Sequence, residues 1–233
     1  MRHLSHRKIV LVIVEGPSDE TALGVALSQL FDRDKVYIHI MHGDITSRKG
    51  VQSSNIISKL GNEIRKYANS QHYKAKDFKQ IIHIVDTDAV FIPDEKIIED
   101  ESAKEILYQS DGIHTQKPDE IIERNLQKKE NLYRLRKTGQ IWNIQYRVYY
   151  MSCNLDHVLY NKRNSTEEEK EEDAYDFARK YKKDLKGFTD FMCCSDFSVH
   201  HDYQTSWAYI EEGMNSIERH TNLCIGIEEE VKN

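Results

Sequence analysis

Lys8-Ile9-Val10-Leu11-Val12-Ile13-Val14-Glu15-Gly16-Pro17-Ser18-Asp19-Glu20 is the stretch that decides the fold. Its apolar, β-branched run has the composition of a strand buried on both faces, as in a parallel sheet covered by helices. A second run, Gln80-Ile81-Ile82-His83-Ile84-Val85, ends in the same abrupt way, in Asp86-Thr87-Asp88. Carboxylates at the carboxyl ends of such strands lie where open α/β sheets bind ligands. Three or four of them gathered there repel one another unless a cation sits among them, so a divalent metal site is the leading expectation.

Outward from the first strand, Ser18 reads as a helix N-cap, with Asp19 and Glu20 in a first turn where negative charge suits the helix dipole. Ala22, Leu23, Ala26, Leu27 and Leu30 then recur at helical spacing. Residues 35–42 read as a second strand, closed by Gly43-Asp44. The polar loop Thr46-Ser47-Arg48-Lys49-Gly50 leads into a helix with Ile56, Ile57, Leu60, Ile64 and Tyr67 on one face. With the strand over 80–86, the order is β-α-β-α-β, the pattern of a parallel sheet with right-handed crossovers. Residues 93–140 are mostly charged and predict helices over 94–108 and 118–137, the second opened by Pro118. A fourth strand covers 145–151 and a short helix 154–160. Thr166 and Glu169 form a capping box for a helix through Tyr181. Residues 187–203 read as a long loop, and a last amphipathic helix carries Trp207, Ile210, Met214 and Ile217. The expected architecture is a single α/β domain over 1–233. It has a central, mostly parallel sheet of about four strands flanked by helices, a helical insertion over about 93–140 and a helical extension over about 164–233.

A chain of 233 residues can bury a real core, and 31% charged residues with three prolines mark a soluble, helix-rich protein. No apolar run is long enough to cross a bilayer, and Met1-Arg2-His3-Leu4-Ser5-His6-Arg7 leads into a strand rather than a signal peptide. Four cysteines without metal-ligand spacing suggest reduced thiols. A cytoplasmic protein without a membrane partner is therefore expected. Cys193, Cys194, His200 and His201 come as adjacent pairs, which rarely converge on one tetrahedral zinc. The net charge of −6 argues against strong non-specific nucleic-acid binding by the chain as a whole. It leaves room for a local basic patch, and for a partner or a second copy that completes a binding surface.

The strand ending in Glu15-Gly16, the helix directly after it and the later strand ending in Asp86-Thr87-Asp88 resemble the Toprim fold. That fold is shared by topoisomerases, bacterial primases and the nucleases of the overcoming-lysogenization-defect type. The spacing from Glu15 to Asp19 looks closest to the nuclease branch. The resemblance covers the first 90 residues or so plus the strand at 145–151, and it implies a Toprim-like Rossmannoid sheet. A weaker similarity, Ser152-Cys153-Asn154-Leu155-Asp156-His157-Val158-Leu159, is to phage-defence Toprim proteins of the RloB type, with Asp156 near that family's Glu and neither aromatic retained. What the resemblance implies is a magnesium- or manganese-dependent nuclease. Asp86 and Asp88 would hold metal, Glu15 would hold metal or act as general acid/base, Asp19 would help with a second ion and Asp156 would join the site. Gly16 would allow close backbone approach, beside a helix N-terminus that favours phosphate. An anti-phage setting with a separate ATPase is implied too, since this sequence has no Gly-x-x-x-x-Gly-Lys-Ser/Thr loop of its own.

The residues leave rival readings open. A metal-dependent phosphohydrolase acting on a small nucleotide could use the same carboxylates, and a Toprim-like scaffold that has lost catalysis could bind a partner instead. Asp19 and Glu20 also serve as ordinary first-turn helix stabilisers. Arg48 and Lys49, near a strand end, are candidate phosphate contacts. Arg124, Lys128, Lys129, Arg134, Arg136 and Lys137 form the most basic stretch. Because Glu123 and Glu130 interrupt it, it reads more simply as a solvated helix face than as a nucleic-acid surface.

Overall fold

The first strand, β1 (Ile9–Val14), buries all six of its residues. That burial requires neighbours on both edges and cover on both faces, and the computed structural model supplies them. It describes residues 8–31, 35–40 and 44–231. Helix α1 (Pro17–Leu30) returns the chain to β2 (Lys35–Ile40), which pairs parallel with β1. Helix α2 (Ile56–Ser70) precedes β3 (Phe78–Asp86), which pairs parallel with the other edge of β1. A long crossover follows, with the short strands β4 (Ile97–Glu99), β5 (Leu107–Gln109) and β6 (Gly112–Thr115), then helix α3 (Pro118–Arg136). The chain re-enters the sheet through the two-residue β7 (Gln140–Ile141) and β8 (Ile144–Met151). Strand β8 is parallel to β3, β7 is antiparallel to β8, and the five-stranded order is β2-β1-β3-β8-β7. The last part is helical: α4 (Leu155–Tyr160), α5 (Glu167–Tyr181), α6 (Leu185–Cys193), α7 (Tyr203–Ile210) and α8 (Leu223–Val231).

Alternation along the strands divides the core. Ile9, Leu11 and Ile13 of β1 pack with Leu60 and Ile64 of α2, Leu132 and Leu135 of α3, and Trp207 and Ile210 of α7. Val10, Val12 and Val14 face the other way, against Leu23 and Leu27 of α1, Phe177 of α5, Phe188 of α6 and Ile227 of α8. Each fully buried aliphatic side chain contributes about 1.5–3 kcal/mol. A mostly parallel sheet between two helical layers is what the continuous apolar runs predict.

Several boundaries differ from expectation. Helix α1 starts at Pro17, with Gly16 and not Ser18 as its N-cap, because proline at the first helical position is already pre-set in φ. Residues 94–108 are not a helix. A 3-10 turn over 94–96 feeds β4, and β4, β6 and β5 form a small separate sheet, so the insertion is only half helical. Residues 187–203 are not all loop, since α6 runs to Cys193. Helix α7 stops at Ile210, Gly213 sits at φ 54 beyond it, and Met214 and Ile217 lie in turns. Trp207, Ile210 and Ile217 are fully buried, which makes that stripe core. The second strand ends at Ile40, and residues 41–43 lie outside the described residues. Among the described residues, no helix is long and apolar enough to cross a membrane.

Candidate active site

Register brings the acids together. Ile13 of β1 pairs with His83 of β3, so Glu15, just past the end of β1, comes within one residue of the level of Asp86, the last residue of β3. Glu15 and Asp86 leave the sheet side by side there, and the Asp86 amide donates to Glu15 Oε1 at 3.2 Å. The Asp86-Thr87-Asp88 turn is fixed to the end of β8. Thr87 N donates to Met151 O (2.9 Å), Asp88 N donates to Cys153 O (2.7 Å), and Thr87 Oγ1 accepts from Cys153 N (2.9 Å). Asp88 and Ala89 both take positive φ, 48 and 53, and this turns the chain sharply out of the strand.

The sequence reading missed two members. Asp44 follows the segment after β2, at the carboxyl end of the sheet like Glu15 and Asp86. Lys128, in the middle of α3, is 0% exposed, and its ammonium lies 2.8 Å from Asp44 Oδ2 and 2.6 Å from Asp88 Oδ2. Thus the basic stretch of α3 is in part neither a solvated face nor a nucleic-acid contact, because one of its lysines is buried among the acids. Arg124 also turns inward, donating from its guanidinium to Asp88 O (3.1 Å) and to Tyr108 Oη (3.3 Å).

Charge is arranged in two arms about Asp86. In one, Glu15, Asp44 and Asp88 surround Lys128. Burial raises the Glu15 pKa well above the usual carboxylate range, and Asp44, Asp86 and Asp88 add to the rise while Lys128 opposes it. Burial and the neighbouring Asp19 and Asp88 raise Asp86 in the same way. Asp44 goes the other way: burial pushes it up, but the charge and hydrogen bond of Lys128, together with hydrogen bonds from Ser47 and Thr46, hold it well below its usual value. Burial alone would depress Lys128, but Asp44, Asp88 and Glu15 more than reverse this and keep it cationic. The second arm holds Asp19, Asp156 and, acting on both, Lys170. Asp19 Oδ2 accepts from the amides of Gly16 (2.9 Å) and Glu15 (3.2 Å), which makes it both a helix-end ligand and a neighbour of Asp86.

Asp156 sits buried in the first turn of α4, whose N-cap is Asn154. Burial lifts its pKa to about 6, with Lys170 opposing and Asp19 assisting. A carboxyl raised on folding stabilises the fold fully below its unfolded pKa of about 3.9, and the contribution is lost as pH rises through the folded value. Asp156→Asn is therefore expected to raise the melting temperature of metal-free protein at pH 8 and to leave it nearly unchanged at pH 4. Thermal unfolding in EDTA at the two pH values checks this. Equal shifts at both would remove Asp156 from the charged cluster.

The other expected residues fall around this centre. Gly16 is ordinary in its backbone (φ −139), and a Cβ there would meet nothing nearer than 3.9 Å. The fold therefore does not demand glycine at this position. Arg48 and Lys49 lie in the loop over 44–51. The Gln127 amide pins this loop to α3 by donating to Arg48 O (3.1 Å) and Val51 O (2.8 Å). Arg48 is half-buried and Lys49 exposed.

The donor chemistry suits a hard divalent cation, because every acidic ligand is an oxygen. Among the described residues, however, no three His, Cys, Asp or Glu side chains form a group already able to hold a metal ion. Magnesium is commonly bound by one or two carboxylates completed by waters and substrate phosphates, so a full set of protein ligands is not required. No known family model matches the chain, and no curated protein or solved structure is detectably similar to it.

Proposed function

We propose that the protein is a metal-dependent nuclease that hydrolyses phosphodiester bonds of DNA or RNA at the Glu15, Asp86, Asp88 cluster. One observation carries the reading. Glu15 and Asp86, from the ends of different strands, are brought together, the Asp86 amide donating to the Glu15 carboxylate, although burial and neighbouring acids push both pKa values up. Such an arrangement is unfavourable for folding and makes sense where a cation and a phosphate complete it. Asp86 and Asp88 would hold magnesium or manganese, and Asp19 and Asp156 would flank a second ion beside Asp86. Glu15 would hold metal or move a proton. The chemistry supplied by the bound ion is charge neutralisation on the phosphoryl group and activation of water. Lys128 keeps Asp88 oriented, the exposed side of Gly16 admits the backbone, and Arg48 and Lys49 contact flanking phosphates. Action against phage with a separate ATPase is part of the same proposal, resting on the Toprim resemblance.

The test is a panel of single- and double-stranded DNA and RNA oligonucleotides beside mononucleotides, with magnesium or manganese and with EDTA. Metal-dependent cleavage of oligonucleotides is expected, and turnover of mononucleotides alone would replace the nuclease with a small-substrate phosphohydrolase. Lys128 also favours a second reading. An ammonium already neutralises Asp44 and Asp88, and a scaffold that had lost catalysis could use it as a permanent substitute for metal. Absence of metal binding by calorimetry, together with absence of cleavage, would select that reading.

A further inference from the structure

Beside the loop over 44–51, the outer face of α2 lines a groove of about 590 Å³. Lys59, Asn62, Lys66 and Asn69 recur along it at intervals of three and four residues, so they stand on one side of the helix, with Arg65 beside them and Arg48 at the loop end. At 1.5 Å per residue the row is about 15 Å long. Residues 45–70 contain five Lys or Arg and one Glu, in a chain whose net charge is −6. Positive charge is thus concentrated on the segment that adjoins the acids. The acid here, Glu63, pairs with Lys66 at 3.1 Å, but their side chains are 37% and 73% exposed. Pairs of that kind are weak and do not withhold a lysine from an anionic ligand. Lys59 donates to Gly50 O (2.8 Å), which ties the row to the loop, and Arg65 donates to Asn62 Oδ1 (2.8 Å) within the row.

The lining has no aromatic ring. Grooves that track single strands generally combine positive charge with aromatic platforms on which bases stack. A groove with lysine, arginine and asparagine donors only is suited to phosphate and sugar oxygens, which position a duplex without reading its sequence. We infer that this face of α2, with the 44–51 loop, binds the sugar-phosphate backbone of a duplex nucleic acid and leads it to the acidic site. The inference rests on the nuclease reading for its destination, and on charge and geometry alone for the surface.

The experiment measures binding of a fluorescein-labelled 20-base-pair DNA duplex, the RNA duplex of the same sequence and the corresponding single strands by anisotropy. Measurements are made in EDTA over a salt series, and cleavage is followed separately with manganese. Wild type is compared with Lys59→Gln/Lys66→Gln and, as control, with Arg179→Gln on α5 combined with Lys183→Gln in the turn that follows it. Arg179 makes an exposed pair of the same kind with Asp176. The α2 variant is expected to lose tenfold or more in duplex affinity at low salt. Its slope of log affinity against log salt should fall by about two, near one per phosphate contact. The control should match wild type. An unchanged slope in the α2 variant, tighter binding of single strands, or no binding of any nucleic acid overturns the inference. Normal α2-dependent binding without cleavage would instead overturn the nuclease reading and leave this surface standing.

Discussion

Lys128→Met is expected to destabilise the protein by roughly 3–5 kcal/mol, the usual consequence of removing one partner from a buried ion pair. For a chain of this size that is a fall in melting temperature on the order of 10 °C. The cause is local and electrostatic. Methionine fills much of the same volume, but Asp44 and Asp88 are left largely desolvated without the ammonium that lies 2.8 and 2.6 Å away. Two features distinguish this from a packing defect. Asp44 is held well below its usual pKa by Lys128, so in the variant it should titrate near or above the normal range, and the defect should shrink as pH falls towards 4. Asp44→Asn combined with Lys128→Met should recover part of the loss, in a double-mutant cycle with a coupling above 1 kcal/mol or so. Manganese should also stabilise the lysine variant more than wild type if the carboxylates accept a metal. A melting temperature within about 2 °C of wild type at pH 8 would mean that Lys128 does not organise the site.

Glu15→Gln and Asp86→Asn are each expected to lower metal-dependent cleavage by roughly 10²–10⁴-fold, the range for losing a general acid/base or an electrostatic contact to the transition state. Their effect on stability should have the opposite sign. Both carboxyls are raised on folding, chiefly by burial. Each therefore stabilises the protein below its unfolded pKa of about 4, and loses that contribution as pH rises through its higher folded value. Removing the ionisable group while keeping the shape should make metal-free protein more stable at pH 8 and little changed at pH 4. Glutamine retains the oxygen that accepts from Asp86 N, so the hydrogen bond survives the substitution. Loss of activity with a gain in stability is the signature of a site maintained against the preference of the fold. Wild-type turnover in either variant, or a fall in metal-free stability confined to high pH, would remove these acids from the chemistry.

Particular residues explain what could be read in advance. Strand β1 is legible because burial on both faces leaves no room for polar residues, β3 because Ile81–Val85 form a mostly apolar buried run, and the acids are conspicuous because they break those runs. Helices α2 and α5 carry clear apolar faces, and α5 has the Thr166–Glu169 capping box in full. The small sheet is invisible because its strands are three or four residues long and depend on a tertiary approach. Gly112 has φ 155, and a Cβ there would lie 2.0 Å from Lys96 O. Helices α6 and α8 are amphipathic only relative to a sheet face whose position the chain does not announce. Lys128 had a signal that charge content obscured. Ile121, Asn125, Lys128, Leu132 and Leu135 recur at alternating spacings of four and three, and all are buried. A lysine in register with a core stripe calls for a counter-charge, which Asp44 and Asp88 supply.

The ion pairs of Lys128 join residues 84 and 40 positions apart in the chain. Neither closes within one local element, since the first requires α2 and β3 to be in place and the second requires the whole small sheet to have been traversed. The carboxylate end of the sheet is thus tied together by contacts distant in sequence, which oppose its local opening. Amide protons of Asp88 and Lys128 should exchange with solvent deuterium only through global unfolding, at the slowest rates in the molecule. Any motion that admits a large ligand must then occur in the covering loops, with the acids and their lysine as the stationary frame.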